Sequence, residues 1–157
     1  MKITLLAVGK TDQSYLKEGI KVYFDRLKHY IKFEAIEVET PKSFKSLSPV
    51  QLKENEGKLL IKHFEDADIV VLLDEKGSQY SSEEFAFWLQ KTMNSGVKNL
   101  MFVIGGAYGF SPEVYANAKG KLSLSSMTYS HQIIRLFFAE QLYRAFTILK
   151  NEPYHNP

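Results

Sequence analysis

The sequence predicts a single α/β domain built on a parallel sheet. Short apolar segments of strand length alternate along the chain with segments whose apolar residues recur at helical spacing. This alternation favours crossover connections between parallel strands, with helices covering both faces of the sheet. A chain of 157 residues without a break in composition has the size of one domain, so we expect residues 1–157 to form one unit.

The N-terminal half of the chain starts with a strand. Residues 3–8 are almost continuously apolar, which is typical of a strand buried on both faces. Apolar residues in 15–29 recur at steps of three and four and predict a helix. Residues 33–39 indicate a strand near the sheet edge, because glutamates interrupt its apolar positions. A polar loop over 41–48 then leads to a helix that begins at Pro49.

The middle of the chain predicts a strand, a turn and a capped helix. Residues 68–73 form the third predicted strand, and the polar segment 74–77 is expected to turn the chain. Ser81 and Glu84 have the spacing of a capping box, so a helix should begin after Ser81 and end near Gly96.

The C-terminal part continues the alternation. Residues 100–104 predict a fourth strand that runs directly into the glycine-rich segment 105–109. Ser111 is a good N-cap for a short helix, and 122–127 predict a short fifth strand rich in serine. A long helix over 130–150 is apolar around most of its circumference. A second subunit could cover the additional apolar side, which makes a homodimer our hypothesis.

Composition excludes several classes of protein. The absence of cysteine excludes disulfides, iron–sulfur clusters and thiol nucleophiles, and it suits a reducing cytoplasm. No segment approaches the roughly 20 apolar residues of a membrane span, and the short apolar start does not resemble a signal peptide. The four histidines have no metal-site spacing, so we expect no metal. A net charge of +2 permits RNA binding without predicting it.

Chemistry should lie beyond the carboxyl ends of the strands, where open α/β sheets bind ligands. Gly105, Gly106 and Gly109 would let the backbone approach a ligand closely, although an ordinary glycine-rich turn is an equally good interpretation. The segment has neither the P-loop pattern nor the position of a Rossmann fingerprint. By its residue types alone, the serine-rich segment 122–129 is best interpreted as a strand that runs into an N-cap.

Polar pairs near the C-terminus also have plain structural interpretations. His131 and Arg135 share one face of the last helix, and Glu140 with Arg144 would form an ordinary surface ion pair. The C-terminal tail, residues 151–157, carries an aromatic residue and a histidine beyond the last helix. Residue chemistry alone gives this tail no function.

Taken together, these segments resemble the RlmH family of SPOUT-class enzymes, which methylate N3 of a pseudouridine in large-subunit ribosomal RNA. The similarity spans the whole chain and is carried by ordered pieces at matching spacing. These pieces are residues 1–10, Lys53 to Gly57, Leu72 to Asp74, Phe102 to Gly106, Leu124 to Thr128 with His131, Glu140 to Ala145, and Pro153 to His155.

The resemblance implies a parallel-sheet SPOUT fold with a C-terminal trefoil knot, which general topology rules would not suggest. It also implies that the loops of this knot bind S-adenosylmethionine as the methyl donor. Carried over by position, the donor-binding residues are Leu73, Gly105, Leu124, Ser125, Ser126, Met127, Thr128 and Tyr129. Their position agrees with the strand-end rule, which was applied independently of the family.

The resemblance further implies a homodimer in which the tail of one subunit reaches the donor site of the other. The substrate would be 23S rRNA in the large subunit or the 70S ribosome. We expect His155 to accept or relay the N3 proton and Tyr154 to stack on the base. Arg135 and Arg144 would hold phosphate or orient the partner's tail.

One departure and two rival functions remain open. The sequence ends in Asn156-Pro157 where the family pattern has a basic residue, so Lys119, Lys121 or Lys150 could supply that RNA contact. A non-catalytic ribosome- or RNA-binding module of the same fold is the first rival. A phosphoacceptor receiver domain centred on Asp74 is the second, and it lacks the acidic pair that its magnesium site needs after the first strand.

Overall fold

The computed structural model describes residues 1–157 and confirms the predicted alternation of strands and helices. The strands are β1 (Lys2–Val8), β2 (Lys32–Val38), β3 (Ile69–Gln79), β4 (Asn99–Ile104) and β5 (Gly120–Ser123). The α-helices are α1 (Ser14–Leu27), α2 (Pro49–Ile61), α3 (Ser82–Asn94), α4 (Pro112–Asn117) and α5 (Ile133–Leu149). Short 3-10 helices at Lys42–Ser46 and Phe64–Asp66 complete the chain.

The five strands form one sheet in the order β2-β1-β4-β3-β5, and every neighbouring pair is parallel. The buried apolar sequence of β1 is explained by its position between β2 and β4. β2 lies at one edge, as its glutamates predict, and β5 lies at the other. The sheet therefore brings the carboxyl ends of β3, β4 and β5 together on one side of the molecule.

Helices cover both faces of the sheet and enclose two hydrophobic cores. One core holds Phe85, Phe102, Phe138 and Leu142, where α1, α3 and α5 pack on the sheet. The other holds Leu60, Phe110 and Val114 below α2 and α4. Since α5 contacts both α1 and α3, part of its wide apolar surface is already buried within one chain.

Two strand boundaries differ from the sequence prediction. The segment 74–77 was expected to be a turn, but β3 continues through it to Gln79 and pairs again with Leu122 and Ser123 after a bulge. β5 spans Gly120–Ser123 rather than 122–127, and its remaining predicted residues form a loop. The segment 74–77 continues β3 as a bulge because the strand residues on both sides of it pair with β5. β5 ends at Ser123 because residues 124–127 have no strand partner.

The extended part of β3 crosses very close to β5. A Cβ atom at Gly77 would lie 2.6 Å from the carbonyl carbon of Lys121 and 2.7 Å from the backbone nitrogen of Leu122. Only glycine allows two backbones to approach so closely. The trefoil knot implied by the resemblance stays a prediction, and this crossing lies in the part of the chain where it is expected.

None of the helices combines the length and the apolar character that crossing a membrane would require.

Replacing Gly77 with alanine should destabilise the fold by about 1–3 kcal/mol, because two backbones would have to separate to admit a methyl group. Gly120→Ala is the matched control, since its Cβ would meet only Val71 Cγ2 at an ordinary 3.9 Å. Urea unfolding followed by circular dichroism measures both. Equal stability of the two variants would show that the crossing tolerates a side chain.

Candidate active site

A cavity of about 760 Å³ lies at the carboxyl ends of β3 and β4 and below the loop that follows β5. This is the position at which open α/β sheets bind ligands. Its walls come from the end of β3, the glycine-rich loop after β4, residues 124–131 and the first turn of α5. Segments far apart in the sequence therefore form one site.

The structure brings the residues expected at the donor site together around this cavity. It is lined by Leu73, Gly105, Leu124, Ser125, Met127, Thr128 and Tyr129. Ser126 belongs to the same loop and is exposed, but it does not line the cavity. Contact between these residues and a methyl donor stays a prediction, and their position around one cavity supports it.

The loop after β4 is shaped by its glycines. Gly109 has φ of 80°, in the left-handed region that favours glycine. A Cβ at Gly105 would lie 3.1 Å from Phe110 Cε1 and 3.2 Å from the carbonyl oxygen of Gly109. Gly105 is therefore needed for packing within the loop as well as for leaving the cavity open.

The loop after β5 is held by its own side chains. The hydroxyl of Ser125 accepts a hydrogen bond from Met127 N at 3.0 Å, and that of Thr128 donates to Glu75 Oε2 at 2.5 Å. The main-chain N–H groups of Ser126, Thr128 and Tyr129 donate to no other main-chain group. The first bond holds the shape of the loop and the second ties it to β3, while main-chain donors remain for a ligand.

Arg135 is buried away from the other predicted catalytic residues. Its guanidinium donates to the carbonyl oxygens of Val8 at 2.7 Å and Gly9 at 2.9 Å, and it lies 3.3 Å from Glu37 Oε2. The side chain is only 3% exposed. In this arrangement Arg135 fixes the start of α5 against the ends of β1 and β2.

Two side chains at the cavity received no function from the sequence. His131 lines the cavity one turn before Arg135, and burial lowers the pKa of its imidazole, with the Arg135 charge as a second cause. Lys53 lines the opposite wall from α2. Both belong to segments that carry the family resemblance, and that was the only signal that could have found them.

Glu56 supports the cavity wall from behind. It lies one turn after Lys53 on α2, is 7% exposed, and its carboxyl group faces the backbone of Gly106. Burial raises the pKa of this carboxyl group. Gly106 leaves the space that this side chain occupies, because a Cβ there would lie 2.8 Å from Glu56 Oε1.

Tyr154, His155 and Arg144 form a second group on the outer side of α5. Tyr154 donates a hydrogen bond to Glu140 Oε1 at 3.0 Å, and Arg144 donates to the same oxygen and to His155 Nδ1 at 3.2 Å. Burial raises the pKa of Tyr154, so its hydroxyl stays protonated. The hydrogen bond to Glu140 raises the pKa of Arg144, which stays charged.

The second group does not reach the first cavity within one chain, since neither Tyr154 nor His155 lines it. Another cavity, of about 680 Å³, lies between the donor-site cavity and the group of Tyr154, His155 and Arg144. Tyr23 and Glu140 line it on the side of the tail, whereas Leu124 and Tyr129 line it on the side of the first cavity.

No three histidine or acidic side chains come together as metal ligands. The acidic residues at the cavity, Asp74 and Glu75, are instead bonded to neighbours within the protein.

The order of the strands and the cavity at their carboxyl ends are those of an α/β protein that binds a small molecule. Comparison with known families identifies which one. The family model described as "Predicted SPOUT methyltransferase" matches residues 1–155. The chain belongs to the SPOUT methyltransferase family. Membership confirms the predicted fold class and enzyme class, whose methyl donor is S-adenosylmethionine.

Curated relatives match over the full length. "Ribosomal RNA large subunit methyltransferase H" of Christiangramia forsetii is 58% identical over 156 residues, which cover 99% of both chains. The proteins of the same name from Flavobacterium psychrophilum and Parabacteroides distasonis are 54% and 53% identical, with the same coverage. These relatives confirm the resemblance to the RlmH family.

Solved structures agree on the fold. A "probable methyltransferase" from Bordetella pertussis Tohama I has a TM-score of 0.57 at 10% identity, covering 92% of this chain and 95% of that one. A "probable methylase family protein" from Haemophilus influenzae Rd KW20 has a TM-score of 0.55 at 12% identity, covering 99% and 70%. At such low identity, these neighbours support the architecture alone.

Glu56→Gln should stabilise the protein increasingly as the pH rises above 4.5, the ordinary pKa of the carboxyl group. Because the folded state raises this pKa, protonated Glu56 is favoured at low pH, and its ionisation at higher pH costs stability. The glutamine variant removes this cost. Urea unfolding at a series of pH values measures the difference.

Glu54→Gln is the control, since Glu54 lies on the same helix and is exposed. A difference between Glu56→Gln and the wild-type protein that does not change with pH would contradict the assignment.

Proposed function

We propose that this protein methylates N3 of a pseudouridine in 23S rRNA, using S-adenosylmethionine, on the large subunit or the 70S ribosome in the cytoplasm. The observation that carries the proposal is 58% identity over the full chain to a curated ribosomal RNA large subunit methyltransferase H. The cavity supports it, because seven of the eight residues expected at the donor site line one space.

The residues around the cavity suit S-adenosylmethionine. The cavity has a volume of about 760 Å³, which lies in the usual range for small-molecule sites. Leu73, Ile104 and Leu124 offer apolar surface for an adenine ring, and the loop after β5 offers main-chain N–H groups. The neutral imidazole of His131 adds no positive charge beside a sulfonium donor.

When bound, S-adenosylmethionine supplies an electrophilic methyl group for transfer to a nitrogen nucleophile. The chain must then orient N3 of the base and accept the proton that N3 loses. His155 would take this proton at the imidazole nitrogen that carries no hydrogen. While Arg144 donates to the ring, that nitrogen is Nδ1, and it is then occupied by this hydrogen bond. This requires the tail to leave Arg144.

In a homodimer, the tail of one subunit would reach the donor cavity of the other. Tyr154 and His155 do not line the cavity of their own chain, and a partner subunit could deliver them to it. The apolar cavity between the two groups, with the exposed rings of Tyr129 and Phe137, is the surface that we expect a second copy to cover. In this assembly Tyr154 stacks on the base.

The two arginines differ in their roles. Arg144 is 23% exposed and already holds the tail through His155, so it can orient a tail or hold a phosphate group. Arg135 acts on the site indirectly, because its guanidinium is fully used in fixing the start of α5 next to His131. It is a positioning residue in this proposal.

Ala107→Trp should abolish binding of S-adenosylmethionine, since the indole would enter the cavity from an exposed position of its wall. Ala116→Trp on α4 is the control, because Ala116 is exposed and lines none of the cavities described above. Calorimetric titration gives the affinity of each protein. No binding by the wild-type protein, free or ribosome-bound, would favour the non-catalytic ribosome-binding module.

Mixing two inactive variants should restore activity if the tail acts on the partner's site. Ala107→Trp blocks the donor cavity and His155→Ala removes the tail base, so each should be inactive alone. A random mixture of their subunits would contain one intact site in half of the dimers, giving roughly a quarter of the wild-type rate. Methylation of ribosomes with labelled donor measures it, and no recovery would place the tail in its own subunit's site.

A further inference from the structure

A second concave surface, which we call the lysine groove, adjoins the donor cavity. It has a volume of about 440 Å³ and is lined by Lys76, Tyr115, Ala118, Lys119, Gly120 and Lys121. Three of its six residues are lysines and none is acidic. Lys76 and Tyr115 line both the groove and the donor cavity, so the two spaces adjoin at these residues.

The positive charge of the groove is local. The chain as a whole is almost balanced, with 20 basic and 18 acidic residues. Some other lysines are neutralised by ion pairs within the chain, as in Lys2 with Glu34 and Lys10 with Glu39. The three groove lysines form no such ion pair within the chain and are exposed. Their ammonium groups remain available for a partner.

The floor of the groove is held rigidly. The ring of Tyr115 packs against Phe110, and its hydroxyl donates a hydrogen bond to Asp74 at the rim of the donor cavity. Lys121 Nζ lies 5.5 Å from the centre of the same ring, which keeps its ammonium group over the groove. Lys119 and Lys121 are also fixed at their backbones, which lie beside and within β5.

We propose that the lysine groove binds the phosphate backbone of the RNA strand next to the target nucleotide. Resting on the proposed function, this assigns the substrate strand a path from the donor cavity over Tyr115 towards the outer edge of β5. Unpaired lysines on a concave surface suit phosphate groups, which they would position without reading sequence.

The competing explanation is that lysines on an edge strand prevent strands of separate molecules from pairing. It applies to Lys119 and Lys121, which flank the outer edge of the sheet, but not to Lys76, which lies on the bulged part of β3 between its two paired segments. The two explanations differ in what loss of charge should do. RNA binding requires a change in ribosome affinity, whereas protection of the edge requires aggregation.

The test is the double variant Lys119→Gln/Lys121→Gln, assayed with ribosomes from cells that lack this protein. We expect KM for ribosomes to rise roughly tenfold and the slope of log affinity against log salt to fall by about two. The affinity for S-adenosylmethionine and the melting temperature should not change. Lys119→Arg/Lys121→Arg, which keeps the charge, should stay near the wild-type KM.

The matched control is Lys62→Gln/Lys91→Gln, which removes the same charge from exposed positions that line none of the cavities described above. A groove variant with the KM and salt slope of this control would overturn the proposal, and so would aggregation at unchanged KM. A wild-type protein that binds donor but methylates no ribosomes would refute the proposed function. In that case a filtration assay of ribosome binding would test the groove alone, by comparing the salt slope of the groove variant with that of the control variant.

Discussion

The hydrogen bonds of the buried Arg135 guanidinium are the interaction on which both the donor cavity and the group of Tyr154, His155 and Arg144 depend. It joins α5 to the carboxyl ends of β1 and β2 through the carbonyl oxygens of Val8 and Gly9, and Glu37 lies close enough to balance its charge. A buried charge of this kind is tolerated because its donors are satisfied, and removing it would leave unpaired acceptors in the interior. His131 at the donor cavity comes two residues before α5, and Arg144 at the tail lies near the end of this helix, so fixing α5 sets the position of both.

Much of the architecture could be predicted from the sequence because the information is local. Hydrophobic spacing located the helices, and the buried run of β1 indicated its place inside a parallel sheet. The continuation of β3 past Leu73 could not be predicted in this way. Asp74 to Gly77 look like a turn, and they continue the strand only as a bulge between two segments that pair with β5. The close crossing at Gly77 is likewise a contact between distant segments, and no local pattern announces it.

In the candidate site, too, the features set by local sequence could be predicted, and those set by tertiary packing could not. The strand-end rule placed a ligand site next to Gly105 and the loop after β5, and the structure forms a cavity there. The rule could not identify Lys53 or Glu56, because α2 approaches the glycine-rich loop only through tertiary packing. Nor could residue types separate Arg135 from Arg144. Both are arginines on one helix. The side chain of Arg135 is buried, whereas that of Arg144 is partly exposed and donates a hydrogen bond to His155 in the C-terminal tail.

The crossing at Gly77 also determines when the enzyme can become active during its own synthesis. The backbone that meets Gly77 belongs to residues 121–122, and the adjoining cavity wall requires residues up to Ile134. β3 must moreover wait for β4, which lies between it and β1 in the sheet. Contacts of such long sequence separation form late. A nascent chain therefore has no donor pocket until nearly the whole polypeptide has emerged, so this rRNA methyltransferase gains its activity only when its own synthesis is almost complete.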